Sequence, residues 1–188
     1  MTTPAVLVPV ADGTEELEAV AIIDILRRSG ADVTVASVSP SLEVTCSKGV
    51  RLRADCTIQD CVNRDWTLVV LPGGIPGVEN LRDSQDLIQI LKRQDQTGQL
   101  FGAICAAPPV VLQPHGLLDN RLATCHPGFA AQLRNRDKTR SDVIVDGNCT
   151  TSRGAGTAVA FALTLVERLY NQEKRKDVEA GLAMVDRG

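Results

Sequence analysis

Leu100-Phe-Gly-Ala-Ile-Cys-Ala-Ala-Pro108 decides the fold. Its first five residues are apolar or small without a polar break, which is how a strand buried on both faces reads. One cysteine follows, and small residues then open a short helix expected over 106–112. Strand, single nucleophilic residue and helix in immediate succession is the layout of a nucleophile elbow. So sharp a turn requires small residues two places to either side, and Ala103 and Ala107 stand there. The elbow sets the Cys105 sulfur at a helix N-terminus, where the dipole and free N–H groups favour a thiolate and lower its pKa. The same N–H groups can hold a developing oxyanion. On this local pattern a second reading stays open, a core cysteine beside a tight turn.

Upstream, Ala5–Val10 is another continuous apolar run and predicts a buried strand. Polar residues from Asp12 to Thr14, then Glu15 and Glu16, predict a helix that runs to about Ser29 and stops at Gly30. A second strand is expected over Asp32–Val38, a hairpin over Val44–Leu52, and a third buried strand over Trp66–Leu71, ending in Pro72-Gly73-Gly74. Ser84–Gln96 reads as an amphipathic helix with Leu87, Ile90 and Leu91 inward. Downstream, strands are expected over Leu122–Cys125 and Asp142–Val145. Helices follow over Thr157–Tyr170, with Ala158, Ala162, Leu165, Val166 and Leu169 on one stripe, and over Glu173–Asp186. Strands alternating with helices give a mostly parallel sheet between helical layers. Ligands then bind outside the carboxyl ends of the strands. That rule selects Asp12-Gly13, Pro72-Gly73-Gly74, Cys105-Ala106-Ala107 and His126-Pro127.

Composition narrows the function classes. The chain has 188 residues, 44% apolar and 23% charged, with a formal net charge of -3. That fits one globular domain over 1–188 and gives no strong nucleic-acid signal. No apolar stretch reaches the roughly 20 residues of a membrane helix. The N-terminus leads straight into a strand pattern without a basic stretch, so no signal peptide is read and a cytoplasmic protein is expected. Six cysteines occur, at 46, 56, 61, 105, 125 and 149, but in a reducing cytosol their even number is weak evidence for disulfides. Their spacings contain no C-x-x-C, so neither a zinc site nor any other metal or cofactor is expected.

Two other residue types bear on Cys105. Glu18 lies on the first helix, on the face of Ile22 and Ile25. A carboxylate that leads an apolar stripe faces burial, and burial raises its pKa. Such a carboxyl could hydrogen-bond a thiolate or move protons, although a simple helix-start charge is the plainer role. Gly73 and Gly74 follow a neighbouring strand and, lacking side chains, can bring backbone donors close. Of the two histidines, His126 falls on the ligand-binding edge, while His115 reads as a surface-loop residue. Cys125, beside His126, is read as a strand-end cysteine, with a resolving thiol for Cys105 as the alternative.

Taken together, Gly13-Thr-Glu-Glu-Leu-Glu18, Val69-Val-Leu-Pro-Gly-Gly74, Ala103-Ile-Cys-Ala-Ala-Pro108, His126-Pro127 and Thr151-Ser-Arg-Gly-Ala-Gly-Thr157 resemble the ThiJ/PfpI superfamily, in the branch of bacterial YajL and the parkinsonism-associated protein deglycase. The resemblance runs over nearly the whole chain. It implies a flavodoxin-like three-layer α/β/α sandwich and a homodimer. It implies an oxidation-sensitive nucleophile at Cys105, a protonated partner at Glu18 and a site histidine at His126. Backbone donors would come from Gly73, Gly74 and Ala106. Arg27, Lys48 and Arg153 would border the pocket or the dimer, with Lys48 standing where related chains often carry Arg.

Three readings of function follow. In the first, Cys105 adds to small reactive aldehydes or glycated groups without glutathione, as a glyoxalase or deglycase. In the second, it is a redox sensor or stress chaperone whose thiol climbs the oxidation ladder. In the third, it is a cysteine peptidase, which needs a base next to the nucleophile where this chain has Ala106. A glutamine amidotransferase would need a late histidine, and none follows His126.

Overall fold

The apolar run Ala5–Val10 forms β1, the strand around which the sheet is built. The computed structural model describes residues 3–135 and 140–183. After β1 come α1 (Glu16–Arg28), β2 (Asp32–Ser37), the hairpin β3 (Glu43–Thr45) and β4 (Arg51–Arg53), and the short β5 (Cys56–Thr57). Next are β6 (Leu68–Leu71), α2 (Gly77–Asp83), α3 (Gln85–Thr97) and β7 (Leu100–Ile104). The chain then forms β8 (Val143–Asp146), β9 (Cys149–Ser152), α4 (Ala158–Leu169) and α5 (Gln172–Gly181).

Seven strands make one sheet in the order β5-β2-β1-β6-β7-β9-β8. Neighbours are parallel except for β8, which runs antiparallel to β9. The inner five, β2-β1-β6-β7-β9, have the 2-1-3-4-5 order of the flavodoxin-like doubly wound fold. Alternate residues of one strand feed opposite cores. Val69 and Leu71 pack with α2 and α3, while Leu68 and Val70 pack with α1 and α4. All four are fully buried, each side chain contributing about 1.5–3 kcal/mol. The result is a three-layer α/β/α sandwich.

Local chemistry explains the element ends. Gly30 closes α1 at φ 86, and Gly98 caps α3 at φ 71, both in the left-handed region that glycine tolerates. The helix expected over 106–112 is a π turn over Pro108–Leu112. Two adjacent prolines remove two N–H donors, and the Gln113 N–H reaches back five residues to the Pro108 carbonyl.

Four expectations need correction. Leu122–Cys125 is extended but joins no ladder. Side chains take its donors instead: the Leu122 N–H goes to Asp146 Oδ2 at 2.7 Å and the Thr124 N–H to Thr151 Oγ1 at 3.0 Å. β9, built from Cys-Thr-Thr-Ser, was not expected as a strand, because its polar composition hides a segment buried at every residue. α2 was also not expected. The terminal helix ends at Gly181, and the expected positions 184–186 lie outside the described residues. No helix among the described residues is long and apolar enough to cross a membrane.

Candidate active site

Parallel strands end at one edge, so the segments that follow β1, β6 and β7 converge there. Cys105 directly follows β7 and adopts φ 64, a conformation costing a non-glycine residue about 1–3 kcal/mol. Two backbone bonds hold it there. Its N–H donates to the Ser152 carbonyl at 3.0 Å, and its carbonyl accepts from the His126 N–H at 2.9 Å. Ala103 and Ala107 are fully buried, as the elbow requires.

Glu18 enters from α1 and is fully buried. The Glu15 side chain caps the helix by accepting the Glu18 N–H at 2.7 Å, which fixes the turn that aims Glu18 inward. Glu18 Oε2 accepts the Gly73 N–H at 2.8 Å. Its carboxyl also hydrogen-bonds the Cys105 thiol. Oε1 is buried with no hydrogen-bond partner among the described residues. Gly73 must be glycine for this meeting. A Cβ there would lie 2.5 Å from Cys105 Cβ and 2.8 Å from Glu18 Oε2. Gly74 has φ 97, and a Cβ on it would meet the Gly13 carbonyl oxygen at 2.3 Å.

The Cys105 sulfur accepts hydrogen bonds from the Ala106 and Gly74 backbone N–H groups. Of the three expected donors, then, Gly74 and Ala106 serve the sulfur while Gly73 serves Glu18. Burial pushes the Glu18 carboxyl up to about 7, helped by the Glu15 charge and opposed by the Gly73 and Cys105 hydrogen bonds. Burial also pushes the Cys105 thiol up to about 12, with the Glu18 charge and hydrogen bond adding to it. This corrects the expected lowering of the thiol by a helix N-terminus. Two N–H groups do not offset burial plus a neighbouring carboxylate. Each group is a cause of the other's shift, so the pair releases one proton far more readily than two. The Glu18 charge raises the thiol, so a protonated Glu18 favours the thiolate and an ionised Glu18 favours the thiol.

His126 is exposed, and its Nδ1 accepts the Gly128 N–H at 3.1 Å. The neutral ring therefore carries its proton on Nε2 and presents a donor. A cleft of about 420 Å³ is lined by Glu15, Glu18, Cys105, His126, Pro127 and the segment from Arg153 to Thr157. The Arg153 guanidinium pairs with Asp142 at 3.7 Å at the rim. Arg27 lies at the far end of α1 beside Asp55, 3.5 Å away, outside this cleft. Lys48 is also outside it, its N–H bound by Glu16 at 2.8 Å. Cys125 is fully buried, donates to the His126 carbonyl at 3.4 Å, and is pushed up to about 11 by burial. His115 reaches the Arg82 carbonyl at 3.2 Å, away from the cleft. Among the described residues, no three His, Cys, Asp or Glu side chains gather to hold a metal.

Sequence reading missed Glu15 as the cap that orients Glu18, and Ser152 as the anchor of the elbow. Glu15 had a signal, since it stands three residues before Glu18 at a helix start. Ser152 acts through its carbonyl and had none.

Residues 4–168 match the DJ-1/PfpI family. Protein DJ-1 homolog B of Arabidopsis thaliana is 46% identical over 92% of this chain and 39% of its own length. The chain spans less than half the length of the Arabidopsis relatives that it matches. The glutathione-independent glyoxalase DJR-1.2 of Caenorhabditis elegans is 36% identical, over 90% of this chain and 89% of its own. Among solved structures, oxidized Toxoplasma gondii DJ-1 superposes with a TM-score of 0.93 at 45% identity, covering 96% of this chain and 98% of that one.

Proposed function

The chain belongs to the DJ-1/PfpI family, and on that footing we propose that it is a cofactor-independent cysteine enzyme acting on reactive carbonyls, of glyoxalase or deglycase type. One observation carries the reading. A strained cysteine shares a hydrogen bond with a buried carboxyl whose second oxygen has no partner, so a proton leaving sulfur has a place to go. The C. elegans relative named as a glutathione-independent glyoxalase supports the substrate class.

The steps follow from the groups present. With the shared proton on Glu18, the Cys105 sulfur attacks the aldehyde carbon of methylglyoxal. The oxyanion lies near the N–H groups at the helix start and takes a proton to give a hemithioacetal. Glu18, having given its proton to that oxyanion, removes the former aldehyde hydrogen and delivers a proton to the adjacent carbon, while the hemithioacetal hydroxyl proton passes to the former ketone oxygen, giving a lactoyl thioester. His126 donates from Nε2 to the substrate oxygens, because its Nδ1 is engaged. Water then cleaves the thioester, releasing lactate and restoring the thiol. A deglycase would share the first addition.

The experiment is methylglyoxal consumption without glutathione, comparing wild type with Cys105→Ala. Loss of turnover in the variant is expected; equal rates would end the reading. A redox-sensing role of the same cysteine is the second reading, supported by the solved Toxoplasma relative being described as oxidized. Mild peroxide would then modify Cys105 before the buried cysteines. Modification of all six at equal rates would contradict it.

The working form proposed is a cytoplasmic homodimer. Leu17 and Val20 on α1 and Val50 in the hairpin leave 55%, 46% and 47% of their surface exposed, apolar area that a second copy would cover. Arg27 and Lys48 would border it. Light scattering at the mass of two chains, and of one chain for Leu17→Lys, is the expected result.

A further inference from the structure

Away from the cleft, two sulfurs touch. Cys56 on β5 and Cys61, which ends the 3₁₀ turn Ile58–Cys61, place their Sγ atoms 3.6 Å apart. Cys56 is half-buried and reachable, while Cys61 is fully buried. The intervening turn is held from both ends. Asp60 Oδ2 accepts from the Thr57 N–H at 3.1 Å and from its hydroxyl at 2.8 Å, and the Cys61 carbonyl accepts the Trp66 Nε1–H at 3.1 Å. β5 lies at the sheet edge, four strand spacings from β7, so the pair is about 19 Å from the elbow. No disulfide can join it to Cys105 without unfolding.

We infer that Cys56 and Cys61 form a second thiol site, a dithiol that low-molecular-weight disulfides such as glutathione disulfide convert to an internal Cys56–Cys61 disulfide. The order of attack follows from access. The Cys56 sulfur attacks one sulfur of the reagent, forming a mixed disulfide and releasing one glutathione. The Cys61 sulfur then attacks the Cys56 sulfur, the mixed S–S bond breaks, and a second glutathione leaves with the proton from Cys61. Two protein thiols lose two electrons, and one glutathione disulfide becomes two thiols. Burial and the neighbouring Cys56 push the Cys61 thiol up to about 12, so it is not the first attacker, and its contact with the Cys56 sulfur at 3.6 Å is what makes the second, intramolecular step possible. Closure moves the sulfurs from 3.6 Å to the roughly 2.05 Å of a disulfide, within reach of a side-chain adjustment. The site does not depend on the carbonyl chemistry proposed for Cys105.

The test uses the full chain with Cys105→Ser, which keeps five of the six cysteines. It is equilibrated with glutathione disulfide, quenched in acid, denatured, alkylated and digested without reduction. Alkylatable thiols should fall from five to three, and the tryptic peptide 54–64, which contains both cysteines, should lose two hydrogens. Emission of Trp66, the single tryptophan, should change in parallel, because its indole bonds the Cys61 carbonyl. Adding Cys61→Ser should stop the reaction at a glutathione adduct on Cys56, and adding Cys56→Ser should leave peptide 54–64 unmodified. Circular dichroism checks that each variant is folded. Five free thiols, a lasting adduct on Cys56 with Cys61 present, or a linkage from either cysteine to 46, 125 or 149 would each overturn the proposal.

Discussion

The elbow and the sheet edge both present a reachable cysteine against a buried partner, yet the partners differ in kind. Cys105 faces a carboxyl, with two backbone N–H groups behind its sulfur. Cys56 faces a second thiol. A carboxyl takes a proton and gives it back, so the first arrangement suits addition to a carbonyl and release of product. A thiol supplies electrons and is consumed, so the second suits oxidation. The residue type is the same, and the neighbour decides the chemistry. The backbone follows this division. At the elbow a strained φ is held by two hydrogen bonds, whereas Cys56 sits in ordinary ladder geometry paired with Ala36.

The largest effect that would break this contrast concerns Glu18. Glu18→Gln should lower methylglyoxal turnover by about 10²- to 10³-fold, the usual worth of a positioned proton carrier. It should leave the Cys56–Cys61 reaction unchanged. Next comes Gly73→Ala, whose Cβ would overlap Cys105 Cβ at 2.5 Å. A displaced sulfur should cost about 10²-fold in kcat/KM with the far-ultraviolet spectrum retained. His126→Ala, removing one exposed donor, should cost about tenfold, seen in kcat/KM.

Stability sharpens the comparison from another side. The folded Glu18 carboxyl keeps its proton up to about 7, while an unfolded one releases it near 4.5. Between those values the folded chain binds more protons, so stability falls as pH rises through the window. The loss is about 3 kcal/mol at full burial. Urea unfolding at pH 5 and pH 8 should register it in wild type and show it largely removed in Glu18→Gln. Cys56→Ser should leave the pH dependence as in wild type.

Much of this was legible in the sequence, for identifiable reasons. The strands around Ala5–Val10 and Leu100–Ile104 show because strands buried on both faces cannot hide their apolar runs. The elbow shows because close packing excludes all but small residues around Cys105. β9 did not show, because Thr150, Thr151 and Ser152 are buried polar residues. Thr151, for one, is satisfied by a segment distant in sequence, its Oγ1 accepting the Thr124 N–H. The electrostatics of the site were half legible. That Glu18 would be buried follows from the stripe it leads. That its charge would raise the thiol along with burial follows only from their contact in space. The Cys56–Cys61 meeting was not legible, because a five-residue separation brings two sulfurs together only through the 3₁₀ turn between them.

The most direct test is the pH dependence of Cys105 alkylation by iodoacetamide, measured in wild type and in Glu18→Gln. If the two groups share a proton, the wild-type profile carries an inflection near the Glu18 titration at about 7 that disappears in the glutamine variant, leaving the curve of a single isolated thiol. Superimposable curves would mean that sulfur and carboxyl ionise independently, and would contradict the account.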